Sequence, residues 1–281
     1  MDQWFVVLWE AAQRGIADAQ LNLALCYYHG QYAKQSYEEA AKWFRAAADQ
    51  GNAEAQYNLG SCYANGHGVE QSDVKAAEWA RKAAEQGHIG AQAQLGDCYC
   101  FGLGIQQSYE NAVKWYLKAA SKGNVSALYN LSACYGKGQG VEQSYEKAAL
   151  CLLRAAEQGD ALSQFGLACC YNCGQGVAQS DEEAVKWWRK AAEQGHLMSQ
   201  FNLGDAYFKG QGVEQSDEQA AEWWRKAAEQ GDALSQRFIA NLHYAGRGVE
   251  QSYDEALKWY RLAAKQGDDF SQEMLAKLEK K

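Results

Sequence analysis

The 281-residue sequence contains no proline. Without that fixed-φ residue, helices run uninterrupted, and a loop-rich or edge-strand β protein is disfavoured. Positive charge is not in excess either: 27 Lys and Arg stand against 35 Asp and Glu, for a formal net charge of -8. This balance removes the attraction that dominates binding to a phosphate backbone. No run of like charge is long enough to form a basic stripe or tail. Nucleic acid and anionic membrane surfaces are therefore not expected partners. Apolar stretches approaching the roughly 20 residues of a membrane span are also missing. The apolar run from Trp4 to Trp9 has no positive segment before it and is too short for a signal h-region. The chain is expected to stay in the cytosol.

What is present is glycine (27), tryptophan (10) and tyrosine (17), within a hydrophobic content of 47%. Disorder goes with few aromatics, so a folded chain is expected. The glycines are periodic. Gly15, Gly51, Gly87, Gly123, Gly159, Gly195, Gly231 and Gly267 are spaced by 36 without exception. Gln35-Ser36 recurs in the same register as far as Gln251-Ser252. Seven complete units fill residues 16–267, with a half repeat over 1–15 and a closing helix over 268–281. A fixed period of this length is the signature of a solenoid, here expected as a single domain over 1–281.

Each unit reads as two helices, about sixteen in all. In residues 52–87, Asn52 is an N-cap type, and Ala55, Leu59 and Cys62/Tyr63 fall on one helical face. Gly66 and Gly68 end this helix A. Ser72 caps helix B, whose stripe is Ala76, Trp79 and Ala83. Ser36/Glu39, Ser180/Glu183, Ser252/Glu255 and Ser216/Gln219 fit a reciprocal capping box. The small residues Ala24, Gly60, Gly96, Ser132, Ala168, Gly204 and Ala240 let helices approach, and the tryptophans in register with Trp79 are expected to fill the remaining volume. One unit cannot bury such a side chain alone, so stability comes from stacked neighbours.

The run Ala55-Gln-Tyr-Asn-Leu-Gly60, the Gly-x-Gly-Val of 66–69, Trp79 and the Ala-Ala-Glu-Gln-Gly of 83–87 recur in this order in most units. This unit resembles the Sel1-like repeat, a relative of the tetratricopeptide repeat, over practically the whole chain. One departure is Gln-Ser where members of that family often carry Asp; Ser serves the same capping role. The resemblance implies an all-α, right-handed α/α superhelical solenoid and an adaptor role in assembling protein complexes, with signalling and host-contact roles in bacteria. It implies no common catalytic activity, and no cofactor is expected.

Two chemical motifs compete with the repeat. Ser72-x-x-Lys75 and Ser144-x-x-Lys147 match the S-x-x-K of β-lactamases, a chemistry linked to cysteine-rich relatives of the family. Both serines occupy the cap position that every unit fills with Ser, and no K-T-G or S-D-N partner exists. A serine nucleophile is rejected. Of the nine cysteines, Cys26, Cys62, Cys98, Cys134 and Cys170 share one repeat position and read as small buried hydrophobes. Cys170-x-x-Cys173, with Cys169 beside it, lacks the further ligands of a zinc site. A metal or oxidation site at Cys169/Cys173 is the minor alternative. No catalytic residue and no metal ligand is assigned, and the chain is read as a non-enzyme. A β-lactam- or thiol-active enzyme and a structural, engineered repeat module without a ligand are the competing classes.

Binding is expected where the repeats differ. With Ala55, Leu59 and Cys62 facing inward, the positions of Glu54, Tyr57, Ser61, Ala64 and Asn65 lie on the opposite, concave side, with Asn58 at its flank. Tyr57, Tyr129, Phe165 and Phe201 are expected as anchors there, beside Asp97, Asp205, Lys137 and Lys209. Asn22, Asn58, Asn130 and Asn202 form an amide ladder suited to holding the main chain of an extended segment. The alternative is that these amides serve neighbouring repeats and the aromatics are inter-repeat core. The end carrying Trp4, Phe5, Leu8 and Trp9 is expected to dock another chain or a second copy, the alternatives being that these side chains pack back irregularly or that the sequence is a piece of a longer array, while Lys277, Glu279, Lys280 and Lys281 give the other end a polar cap.

Overall fold

The computed structural model describes residues 3–278, and these form sixteen α-helices and no strand. The B helices are α1 (Gln3–Gln13), α3 (Tyr37–Asp49), α5 (Asp73–Glu85), α7 (Tyr109–Ser121), α9 (Tyr145–Ala156), α11 (Asp181–Glu193), α13 (Asp217–Glu229) and α15 (Tyr253–Lys265). The A helices are α2 (Ala17–His29), α4 (Ala53–Asn65), α6 (Ile89–Phe101), α8 (Val125–Lys137), α10 (Ala161–Cys173), α12 (Leu197–Lys209), α14 (Ala233–Ala245) and α16 (Asp269–Leu278). Glu279, Lys280 and Lys281, expected in the polar cap, lie outside the described residues. The fold is the all-α helix-turn-helix solenoid, in two compact units, Met1–Ser144 and Tyr145–Lys281.

Local chemistry sets the helix boundaries. Asn52 Oδ1 accepts from the Ala55 amide at 2.9 Å, and Asn124, Asp160 and Asp232 cap their helices in the same way. His88 also caps, through Nδ1, at 3.0 Å from the Ala91 amide. On the B helices, Ser36 Oγ accepts from Glu39 N and Ser180 Oγ from Glu183 N, both at 3.2 Å. The return arm of the expected capping box is absent. The Ser36 amide donates to the Tyr27 carbonyl of the preceding helix A, and Ser180, Ser216 and Ser252 repeat this bond. A tertiary carbonyl has satisfied the amide first, so Glu39 turns outward to Lys42 at 2.6 Å.

Two layers of side chains fill the space between helices. Trp79, Trp187, Trp223 and Trp259 are buried, and Lys82, Lys118, Lys190 and Lys226 place their ammonium groups 3.8–3.9 Å over the rings of Trp79, Trp115, Trp187 and Trp223. The deeper layer lies one residue further on, at Phe44, Tyr116, Trp188, Trp224 and Tyr260, which the periodicity of tryptophan alone does not reveal. Space for it comes from the small residue of helix A. A Cβ on Gly96 would lie 2.5 Å from the Tyr116 ring, and one on Gly204 2.5 Å from the Trp224 ring.

A glutamine relay ties helices together. Gln56 Nε2 donates to the Ala48 carbonyl, and its Oε1 accepts from Gln86 Nε2 at 2.8 Å. Gln20/Gln50, Gln164/Gln194, Gln200/Gln230 and Gln236/Gln266 repeat the link. Lys122 stands where the next such glutamine belongs and bonds the Gly87 carbonyl instead, which leaves Gln92 Oε1 buried without a partner.

The small-to-large packing predicts opposite outcomes for two glycine substitutions. Gly204→Ala inserts a methyl into Trp224 and should lower stability by about 1–3 kcal/mol. Gly136→Ala, on a helical residue with open space at its Cβ, should raise it by roughly 0.5–1 kcal/mol. Thermal or urea melts of the two variants check both signs.

Candidate functional site

The side of the A helices turned away from the core carries the residues that differ between repeats. In unit 1 most of them are engaged by the protein. Asn58 Nδ2 donates to the Glu54 carbonyl of its own helix at 2.9 Å. Asn130 Nδ2 reaches across to Asp97 Oδ1 at 2.8 Å, and the Tyr116 hydroxyl donates to the same oxygen at 2.7 Å. Tyr57 is half-buried and stacks on His88 at 4.6 Å. Asn22, Tyr129 and Lys137 are exposed, with Tyr129 39% accessible. Phe101, in register with Lys137, is 63% exposed and was not among the expected anchors.

Unit 2 arranges the same positions differently. Phe165 packs at 4.8 Å from His196, and Phe201 at 6.0 Å from Phe238. Asn202, Asp205 and Lys209 converge in one polar cavity of about 270 Å³, whose walls also include Asn172, Asp181, Trp188 and Gln211. Lys209 Nζ pairs with Asp205 at 2.7 Å. Of the expected amides, then, Asn130 serves an inter-helix bond, Asn58 bonds its own helix through its NH2, and Asn202 lines a cavity.

Along one edge of this face runs an apolar row that residue-by-residue inspection missed. Leu162, Met198, Leu234 and Phe270 occupy equivalent first-turn positions of α10, α12, α14 and α16 and are 53%, 45%, 44% and 43% exposed. The same position in unit 1 holds Asp18, Glu54, Gly90 and Ser126. Reading that single position down the repeats would have found the row.

The competing chemical motifs find local explanations. Ser72 Oγ accepts from the Lys75 amide at 3.4 Å, as a cap does. All nine cysteines are free thiols. Burial pushes Cys62, Cys98 and Cys134 up to about 11, and raises Cys169 and Cys170 as well. Among the described residues, no group of three or more His, Cys, Asp or Glu is placed to hold a metal ion, and no helix is long and apolar enough to cross a membrane.

Burial raises the Asp97 carboxyl above the usual carboxylate range, and the bonds from Tyr116 and Asn130 only partly offset this. A carboxyl raised by folding adds stability below its unfolded pKa, and that contribution is lost as pH rises through the folded pKa. Asp97→Asn keeps an acceptor for Tyr116, as Asn241 does for Tyr260 at 2.6 Å. The variant should therefore melt higher than wild type at pH 7 and show no gain at pH 3. Thermal melts across that range provide the check.

Comparison with known proteins places this arrangement in a family. The Sel1 repeat matches seven times in succession, over residues 17–52, 53–88, 89–124, 125–160, 161–196, 197–232 and 233–268. A protective antigen of uropathogenic Escherichia coli that displays an SLR fold is 36% identical, with a TM-score of 0.87. The match covers 96% of this chain and 58% of the antigen, so the chain spans little more than half of that relative's length. A Sel1 repeat protein from Oxalobacter formigenes is 33% identical over 98% of this chain and 79% of its own, with a TM-score of 0.79. No curated protein matches the sequence. The chain belongs to the Sel1 repeat family, whose repeats are generally protein-interaction modules.

Proposed function

We propose that the chain is a non-enzymatic scaffold that holds an extended segment of a partner protein along the exposed side of its A helices. The observation that carries this reading is the exposed row of Leu162, Met198, Leu234 and Phe270, of which Met198 lies one turn before Asn202 of the polar cavity on α12. Side chains of a bound segment have apolar surface to cover, and its main chain has amides to meet. Asn22, Asn58 and Asn202 supply amide contacts in this scheme, with Tyr129 as an accessible anchor. Tyr57, Phe165 and Phe201 contribute the ring edges that packing leaves open. Asn130 acts through Asp97, whose orientation it holds, and Lys137 adds an exposed charge.

Segments selected from a displayed random-peptide library on the full chain test the reading. Leu162→Glu with Leu234→Glu alters only exposed side chains. It should weaken the selected segments by at least about tenfold, or 1.4 kcal/mol, and leave the melting temperature within a few degrees. Selected segments indifferent to this variant would exclude the face as the binding surface.

We further propose self-association through α1, with a second copy as the occupant. Of the four side chains expected to serve it, Phe5 is buried against α2 and Leu8 packs on the same cluster, so neither is available. The exposed apolar surface instead comprises Trp4, Val6, Val7 and Trp9, with Tyr32 at 5.1 Å from Trp4. Sedimentation should show concentration-dependent dimer that Val7→Glu with Trp9→Glu abolishes. A strict monomer at high concentration would overturn it.

A further inference from the structure

The polar cavity of unit 2 has a filled counterpart one repeat later. Its residues Asn172, Asp181, Trp188, Asn202 and Gln211 correspond, at a spacing of 36, to Phe208, Asp217, Trp224, Phe238 and Arg247. There, Phe238 stacks on Trp224 at 4.7 Å and Phe208 packs on it at 5.3 Å. Arg247 clamps Asp217 with two bonds, at 2.9 and 3.0 Å, while its guanidinium lies 4.9 Å over the Phe208 ring. The Trp224 indole donates to the Phe201 carbonyl at 3.2 Å.

Replacing both phenylalanines by asparagine and the arginine by glutamine opens the space between α10, α11 and α12. Two features of the filled version remain. Asp181 keeps its carboxylate, and among the described residues it makes no ion pair. Trp188 keeps its indole, only 7% exposed, with Nε1 buried and unpaired. The group beside that nitrogen is the Cys169 thiol, a weak acceptor that does not meet hydrogen-bond geometry. Lys209 neutralises Asp205, so the charge left over in the cavity is that of Asp181.

We propose that this cavity takes the side chain of an arginine from the bound segment, whose guanidinium occupies the place that Arg247 fills internally one repeat later. The guanidinium pairs with Asp181 through its planar fork, a contact that a lysine ammonium makes less well, in a cavity whose wall includes the Trp188 indole. A cavity of about 270 Å³ falls just below the roughly 300–1,000 Å³ of drug-sized clefts. It suits one side chain and not a whole small molecule. This inference rests on the scaffold reading and makes its ligand class specific: a segment bearing an arginine beside apolar residues.

The experiment uses the full chain, labelled for NMR, and the blocked tripeptide acetyl-Gly-Arg-Gly-amide, with its citrulline counterpart as the neutral isostere. The arginine peptide should shift the Trp188 indole resonance saturably, and citrulline should bind at least about tenfold more weakly. Asp181→Asn should abolish the difference between the two. Asn202→Phe with Gln211→Arg, which installs the neighbour's filling, should abolish binding while the melting temperature stays at or above that of wild type. Equal binding of citrulline, no saturable shift, or full binding by the filled variant would each overturn the proposal. If library-selected segments still depend on Leu162 and Leu234 while any of these results holds, the scaffold reading stands and the arginine site falls.

Discussion

Six of the loops that leave a helix A are pressed onto the first turn of the preceding helix B by a glycine with no room for a side chain. A Cβ on Gly68 would lie 1.9 Å from the Tyr37 carbonyl oxygen, and Gly104, Gly140, Gly176, Gly212 and Gly248 make the same approach to the helix B before them. Backbone meets backbone at each of these points, so the separation between consecutive repeats is set by contact and not by side-chain choice. Tyr32, in the same register, adopts φ 64 without glycine and packs 5.1 Å from Trp4 in the first turn of α1. The fixed approach also brings residue 247, next to Gly248, to Asp217, and residue 211, next to Gly212, to Asp181. Whether that meeting gives an internal ion pair depends on arginine or glutamine at this position, and the space around it is open only where Asn172 and Asn202 stand in place of Phe208 and Phe238.

With the backbone spacing fixed, side chains between helices have a defined volume to fill, and the repeats fill it in different ways. Phe44, Tyr116, Trp188, Trp224 and Tyr260 stand at one position of helix B. The polar tips of the tyrosines and tryptophans among them require acceptors, which change in step: Asp97 for Tyr116, Asn241 for Tyr260, a main-chain carbonyl for Trp224. Trp188 is left unpaired. A polar residue on the outer side of an A helix thus either completes a buried hydrogen bond or stays at the surface. Asp97 and Asp205 occupy the same repeat position and divide in this way: Asp97 accepts from Tyr116 and Asn130, whereas Asp205 pairs with Lys209 at the cavity wall.

This division explains why the fold was legible in the sequence and the site only in part. The period, the Asn and Ser caps, the terminating glycines and the inward face of each helix follow from short-range rules of spacing. The reciprocal capping boxes failed because Ser36 and its counterparts find a carbonyl in the previous helix, which a local rule cannot see. The ladder amides have different internal partners for the same reason: Asn130 has an Asp97 to reach, whereas Asn202 lines the cavity. The exposed row of Leu162, Met198, Leu234 and Phe270 was present in the repeat register but emerges only when that position is compared between the two units.

The sequence by itself determined the family, the sixteen-helix order among the described residues, and the positions that face inward, because a strict 36-residue repeat constrains every unit to the same local geometry. Only the tertiary structure decided which variable residues are used up. Hydrogen bonds such as Asn130 to Asp97, stacks such as Phe238 on Trp224, and the clamp of Arg247 on Asp217 join residues about 14 to 33 apart in sequence, at distances that packing alone creates. The polar cavity around Asp181 and Trp188 is what remains where those partners are missing.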